Sequence, residues 1–307
     1  MSRKSKKPRA KLLIMGILNV TPDSFADGGK FYGRAGVRVD AVVKRALEMV
    51  EAGADVIDVG GESSGPGSKD VSLKEELKRV MPVVQKLVQL RTRRSFLISV
   101  DTYKAEVARQ ALEAGADMIN DVTALRGDPD MASALAKFKD VPVVIMYSKD
   151  PTARTTREKV QYDDVIKTVS EFLQGRIEVG MKAGIARERF VIDPGMGAFV
   201  SADPKYSMQI LKRLREFESF GLPILVGASR KGFIGEVLGE ILKTATQEAP
   251  VIASKEGSFT PLPAQDRLYG SLACAAVAVM NGASILRVHD VKETRQVRDM
   301  IEIIFNS

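Results

Sequence analysis

One phrase recurs along this chain and limits what it can fold into. Glu51-Ala-Gly-Ala-Asp55 leads into Val56-Ile57-Asp58, and Glu113-Ala-Gly-Ala-Asp117 leads into Met118-Ile119-Asn120-Asp121. Asn281-Gly-Ala-Ser284 leads into Ile285-Leu286-Arg287, and a looser copy, Lys182-Ala-Gly-Ile185, precedes Phe190-Val-Ile-Asp193. Each copy says the same thing physically. A glycine at the helix C′ position enters the left-handed region cheaply, a short turn follows, and a brief apolar strand begins. That strand ends on a residue able to carry charge or hydrogen-bond. The copies are unevenly spaced, so the unit is helix–turn–strand repeated within one fold and not a solenoid.

Apolar runs at Leu12–Leu18, Val56–Val59, Phe96–Val100, Met118–Ile119, Val141–Met146, Phe190–Ile192, Pro223–Val226 and Ile285–Val288 read as buried strands. Helical patterns fit between them at Val39–Ala52, Leu73–Leu90, Lys104–Ala114, Pro129–Phe138, Asp164–Ala183, Lys205–Phe217, Asp266–Asn281 and Lys292–Phe305. Start signals support several. Ser72-x-x-Glu75 is a capping box, and Asp128-Pro129 and Asp203-Pro204 put an acid at the N-cap before proline. Eight strand–helix units in 307 residues predict an α/β protein with a single (β/α)8 TIM barrel. The rival, a doubly wound sheet, lacks its Gly-x-Gly-x-x-Gly fingerprint after the first strand. The barrel domain spans 12–307, and Glu240–Pro263, rich in Pro, Ser, Thr and Gly, reads as a mobile excursion. Residues 20–37 and 60–71 read as two more loops at the C-terminal face.

Charge narrows the partners. The net charge is +7, but Arg3, Lys4, Lys6, Lys7, Arg9 and Lys11 supply most of it. The remaining body is too nearly neutral for a nucleic-acid face, so residues 1–11 read as a solvated, disordered arm. That arm lacks the apolar core of a secretory signal, and no apolar run is long enough to span a bilayer. One cysteine, Cys274, fits a reducing compartment, and one histidine with one cysteine cannot build a thiolate or multi-histidine metal site. The expectation is a cytoplasmic protein that binds neither nucleic acid nor membrane.

Barrel enzymes work at the C-terminal ends of their strands. Those ends deliver Asn19, then Asp58 with Gly60-Gly61-Glu62-Ser63-Ser64, then Asp101, Asn120-Asp121, Asp193, Ser229-Arg230-Lys231, and finally Arg287, His289 and Asp290. Asp101, Asn120, Asp193 and Lys231 offer donors and acceptors for a flat, nitrogen-rich heterocycle. Asn19, Arg287 and His289 form a polar, cationic corner suited to phosphate. Asp58 and Asp121 read as structural acids.

In this order, Asn19-Val-Thr-Pro-Asp-Ser-Phe25, Asp58-Val-Gly-Gly-Glu-Ser63, Ser99-Val-Asp-Thr102, Asn120-Asp121, Asp193-Pro-Gly195, Ser229-Arg-Lys231 and Arg287-Val-His-Asp290 resemble the dihydropteroate synthase family. The resemblance implies that Asp101, Asn120, Asp193 and Lys231 hold a pterin, with Met146 against its ring. It implies pyrophosphate on Asn19, Arg287 and His289, with Mg2+ near Asn19 and the first loop. Ser64, Pro66, Ser229 and Arg230 would frame p-aminobenzoate, and Asp101, Lys231 and Asn19 would carry the catalysis. A homodimer is implied through helices late in the chain.

The chain departs from the family pattern where the arylamine would sit. Glu62-Ser-Ser-Gly-Pro-Gly67 stands where Glu-Ser-Thr-Arg-Pro-Gly is usual, Met146-Tyr147 where Met-His is usual, and Gly197-Ala198-Phe199-Val200 where Gly-Phe-Gly-Lys is usual. An altered arylamine wall beside an intact pterin ring would reject sulfonamides while keeping the natural substrate, as in the family's sulfonamide-resistant branch. Two alternatives stand beside a synthase: a pterin-dependent methyltransferase, which does not need the pyrophosphate corner, and a non-catalytic pterin-binding paralogue.

Overall fold

The computed structural model describes residues 11–21, 32–33, 36–91, 96–245 and 261–306. Eight parallel strands form the centre: β1 (Leu13–Asn19), β2 (Val56–Gly60), β3 (Leu97–Asp101), β4 (Met118–Asp121), β5 (Val143–Met146), β6 (Phe190–Asp193), β7 (Leu225–Val226) and β8 (Ile285–Val288). Each pairs with its sequence neighbours, and β1 pairs with both β2 and β8. The ring closes between β6 and β7, where Ile192 bridges to Ile224 and its N–H donates to the Pro223 carbonyl at 3.0 Å. This is the expected (β/α)8 barrel.

The strands alternate, and the alternation sorts the whole core. Outward residues such as Ile57, Ile98, Ile119, Ile145 and Ile192 join the surrounding helices in the main apolar cluster. Inward residues Met15, Val56, Met118, Val144, Val191, Leu225 and Ile285 form a separate plug that fills the barrel. Two residues further along β2, β4, β6 and β8, the inward position turns polar: Asp58, Asn120, Asp193 and Arg287.

The recurring phrase does what glycine chemistry requires. Gly53, Gly115, Gly184 and Gly282 have φ of +108°, +104°, +102° and +98°. In each copy the next N–H reaches back five residues: Ala54 to Met49, Ala116 to Ala111, Ile185 to Gly180 and Ala283 to Ala278, at 2.9–3.0 Å. These are Schellman closures, and each delivers the chain to the base of the next strand.

The surrounding helices are α1 (Val39–Ala52), α2 (Leu73–Arg91), α3 (Ala105–Glu113), α4 (Met131–Ala136), α5 (Val165–Lys182), α6 (Pro204–Lys212), α7 (Gly232–Ala245), α8 (Leu268–Met280) and α9 (Val291–Asn306). Ser72 Oγ accepts from the Glu75 N–H at 3.2 Å and Asp203 from the Lys205 N–H at 3.0 Å, so both predicted N-caps form. The third does not. Asp128 uses its carboxylate on the N–H groups of Asp130 and Ala105, and α4 starts only at Met131. Helix α7 also departs from expectation: the sequence reading places no helix between Val226 and Asp266 and gives Glu240 onward to a loop, whereas Gly232–Ala245 is helical. Phe233 and Ile234 are buried on its inner face, and that apolar face outweighs its glycines. The tail residues 1–10, the first-loop residues 22–31 and the excursion residues 246–260 lie outside the described residues, whereas Lys11 pairs with Asp55 at 2.6 Å.

Candidate active site

The barrel's C-terminal mouth gathers the predicted ring. Asp58, Asp101, Asn120, Met146, Asp193 and Arg287 are the inward residues at or near the tops of β2, β3, β4, β5, β6 and β8. In five strands the site residue follows a plug or plug-level residue by two: Val56 then Asp58, Met118 then Asn120, Val144 then Met146, Val191 then Asp193, Ile285 then Arg287. The pleat alone therefore aims six distant side chains into one space.

Arg287 is the hub. Its Nε donates to Asp58 Oδ2 and its Nη2 to Asp101 Oδ2, both at 2.6 Å. Asn120 Nδ2 donates to the same Asp58 oxygen at 3.0 Å, while Asp58 Oδ1 is buried with no partner among the described residues. Asp58, expected to be a structural acid, thus stands within the cluster at the mouth, bonded to two of its members. Its inward position two residues after Val56 is the signal that sequence reading passed over. Asp121, one residue beyond Asn120, faces outward. It accepts from the Thr123 N–H, the Thr123 hydroxyl and the Leu125 N–H at 2.6–2.8 Å, holding a turn in which Ala124 and Leu125 have positive φ.

Burial sets the protonation chemistry. Desolvation, opposed by Arg287 and reinforced by Asp58, pushes Asp101 up to about 7. Desolvation likewise lifts Asp193 to about 6, against the pull of the Gly195 N–H (2.8 Å) and of Lys231. Lys231 falls to about 8, driven by desolvation and the nearby Arg287. Its Nζ stands 4.5 Å over the Phe199 ring, and Phe199 packs with Val122 and Met146 in a small apolar cluster separate from the core. His289 drops to about 4, chiefly through desolvation, and is therefore neutral at pH 7. Its Nδ1 lies 3.1 Å from Ser229 Oγ.

The other predicted residues fall in two groups. Asn19 ends β1 at the same mouth, with its Oδ1 facing Gly60, where a Cβ would come within 3.5 Å. Ser229 is buried beside His289. Arg230, held at φ +56°, forms a fork on both oxygens of Asp290 (2.9 and 2.5 Å). Ser64 and the exposed Pro66 lie on the second loop, and Ser64 lines a small cavity with Asp101, Val122 and Arg154. Tyr147 hydrogen-bonds Tyr162, whose hydroxyl lies 2.5 Å from the Val200 carbonyl, so it braces the β6 turn from behind.

Metal chemistry has a narrow opening. Among the described residues no three His, Cys, Asp or Glu side chains cluster as a metal site. Magnesium, however, keeps most of its waters and takes substrate phosphate oxygens, so one or two protein oxygens suffice. The Asn19 amide oxygen at the mouth fits that need.

The family model for pterin binding enzymes matches residues 15–289. A dihydropteroate synthase of Escherichia coli (strain K12) is 43% identical over 289 residues, covering 94% of this chain and 90% of the relative. A crystal structure of the Yersinia pestis dihydropteroate synthase with a sulfonamide drug complex superposes with a TM-score of 0.83 at 37% identity, covering 100% of this chain and 99% of the other. The Xanthomonas albilineans dihydropteroate synthase in complex with 7,8-dihydropteroate superposes with a TM-score of 0.76 at 38% identity, covering 97% and 95%.

Proposed function

The chain belongs to the pterin-binding enzyme family, among its dihydropteroate synthases, and from that membership we propose how its residues divide the reaction. The reaction condenses 6-hydroxymethyl-7,8-dihydropterin pyrophosphate with p-aminobenzoate, giving 7,8-dihydropteroate and pyrophosphate in folate biosynthesis. The chain is a transferase.

The pterin lies against Met146, with its amide and amino edges on Asp101, Asn120, Asp193 and Lys231. Asp58 adds a buried acceptor, since its Oδ1 has no partner among the described residues. Pyrophosphate leaves toward Asn19, Arg287 and His289. Arg287 uses Nε and Nη2 on carboxylates, which leaves Nη1 to face the anion. Neutral His289 serves there as a hydrogen-bond donor and not as a cation. Bound Mg2+, held partly by Asn19, would offset charge growing on the departing oxygen. Departure leaves a resonance-stabilised cation at the pterin methylene. Asp101 in its ionised form, which exists beside the neutral one near pH 7, is pre-placed by Arg287 in a dry site and stabilises it. The arylamine then attacks as a free amine, so no strong base is needed. Ser64, Pro66, Ser229 and Arg230 frame it, and the altered Ala198–Phe199 wall would reject sulfonamides while admitting the natural arylamine.

One observation carries this reading: the inward positions above the plug bring together acids, an amide and cations that stand far apart in the sequence. Pyrophosphate release from purified protein with both substrates tests it, together with restored growth of a bacterium deleted for its synthase. A protein that binds the pterin without releasing pyrophosphate would be the non-catalytic paralogue instead.

Location and assembly extend the proposal. No helix among the described residues is long and apolar enough to cross a membrane, in keeping with a cytoplasmic enzyme. Helices α8 and α9 expose Val277, Met280, Met300, Ile303 and Phe305. A homodimer through this face would cover them. Light scattering on Met280→Glu, expected to be a monomer, checks it.

A further inference from the structure

The segment after β5, residues 147–163, touches both sides of the arylamine's berth. On one side it fixes the turn after β6. Lys149 N–H donates to the Phe199 carbonyl at 2.8 Å, the Tyr162 hydroxyl reaches the Val200 carbonyl, and Thr155 Oγ1 lies 2.8 Å from the Ala198 carbonyl. On the other side it grips the second loop. Thr155 N–H donates to the Ser64 carbonyl at 3.3 Å, and Arg154 pairs with Glu62, pairs with Asp70 at 2.9 Å, and donates to the Lys69 carbonyl at 2.9 Å.

Charge makes Arg154 hard to replace. Glu62 and Glu76 are both buried beneath this loop, and Lys104 reaches both. Thr102 and Tyr103 donate hydroxyl hydrogen bonds to them at 2.7 and 3.2 Å. Two buried carboxylates on one ammonium still leave a negative charge, which is costly without a second cation. The second loop's own cation, Lys69, is exposed. The fifth loop supplies the second cation. Arg154 Nε is itself buried with no partner among the described residues, and Arg154 shares a cavity with Ser63, Ser64 and Asp101.

We propose that Arg154 is a positioning residue for the arylamine substrate: with Thr155 beside it, it makes one segment set both Ser64 and Phe199, the two walls between which the amine approaches. The proposal rests on the berth assigned above to p-aminobenzoate. The side chains assigned to the pterin's polar edges, Asp101, Asn120 and Asp193, bond to Arg287, Asp58 and the Gly195 N–H and not to this segment.

Steady-state kinetics with each substrate varied, on the full chain and on Arg154→Ala, Arg154→Lys and Thr155→Val, tests it. Arg154→Ala is expected to raise KM for p-aminobenzoate about tenfold or more, with KM for the pterin pyrophosphate and kcat moving less than about twofold. Arg154→Lys recovers part of the loss, because an ammonium can meet Glu62 but cannot span Asp70 and a carbonyl as well. Thr155→Val moves the same parameter about threefold to fivefold, and decides the matter should Arg154→Ala fail to fold. Unchanged KM for p-aminobenzoate in the folded variants, or equal losses for both substrates, overturns the positioning role. Turnover by the unsubstituted chain separates that result from failure of the synthase reading, which would remove this proposal with it.

Discussion

The two ends of this barrel use the same residue types for opposite purposes. At the base, Asp55 accepts from the Ile14 N–H at 2.9 Å and pairs with Lys11 and Arg298. Asp117 accepts from the Ile98 N–H at 2.8 Å and pairs with Arg91, and Ser284 accepts from the Ile224 N–H at 3.2 Å. Each satisfies a backbone donor within one residue of a strand's start and sits where water reaches it. At the mouth, Asp101 and Asp193 are enclosed, lifted toward neutrality by desolvation, and face each other's cations across an open space. Acids at the base stabilise the fold. Those at the mouth cost stability and are held there by the strands, as functional groups often are.

Substitutions can break or sharpen that contrast. The largest effect expected is on activity: Lys231→Ala should lower kcat/KM about a thousandfold, as for removal of a group that acts in the transition state. Its melting temperature should be unchanged or higher, because burying that ammonium is unfavourable; a large fall would place Lys231 with the structural residues. Asp117→Ala should do the reverse. Losing a water-accessible paired carboxylate that also holds the Ile98 N–H should cost about 1–2 kcal/mol in denaturant unfolding, with KM for both substrates intact. The pH dependence of stability is subtler. Asp101 binds its proton more tightly folded than unfolded, so it lowers stability as pH rises from 3.8 through about 7. Asp101→Asn should flatten that part of the profile and leave the protein at least as stable as the parent at pH 8, although inactive. His289 acts oppositely, since its folded value near 4 makes stability fall as pH drops below 6.5. The smallest effect belongs to the base again: Gly115→Ala, at φ +104° and 3.2 Å from Val88, should cost about 1 kcal/mol in thermal unfolding and leave turnover untouched.

Much of this was legible in the sequence because its physics is local. The glycine phrase specified a left-handed cap at four places, and all four formed. Strand termini named Asp101, Asn120, Asp193 and Arg287 because short apolar runs ended on them. What escaped was set by direction and by distance. Asp58 and Asp121 each end a similar run, and only the inward or outward sense of the pleat separates a site acid from a turn acid. Arg154 carries no local signature, since its partners Glu62, Lys69 and Asp70 lie about 85 to 92 residues earlier. Helix α7 was missed because Gly232, Gly235 and Gly239 weaken its pattern, while the burial of Phe233 and Ile234 overrides that weakness.

The central claim is that inward position at the mouth, and not acidity, makes a residue part of the pterin site. Calorimetric titration of 6-hydroxymethyl-7,8-dihydropterin pyrophosphate into Asp193→Asn and Asp117→Asn tests it directly. The account predicts that Asp193→Asn weakens binding about a hundredfold or more, whereas Asp117→Asn, folded at low temperature, keeps the parent's Kd. Equal affinities for the two variants would contradict it.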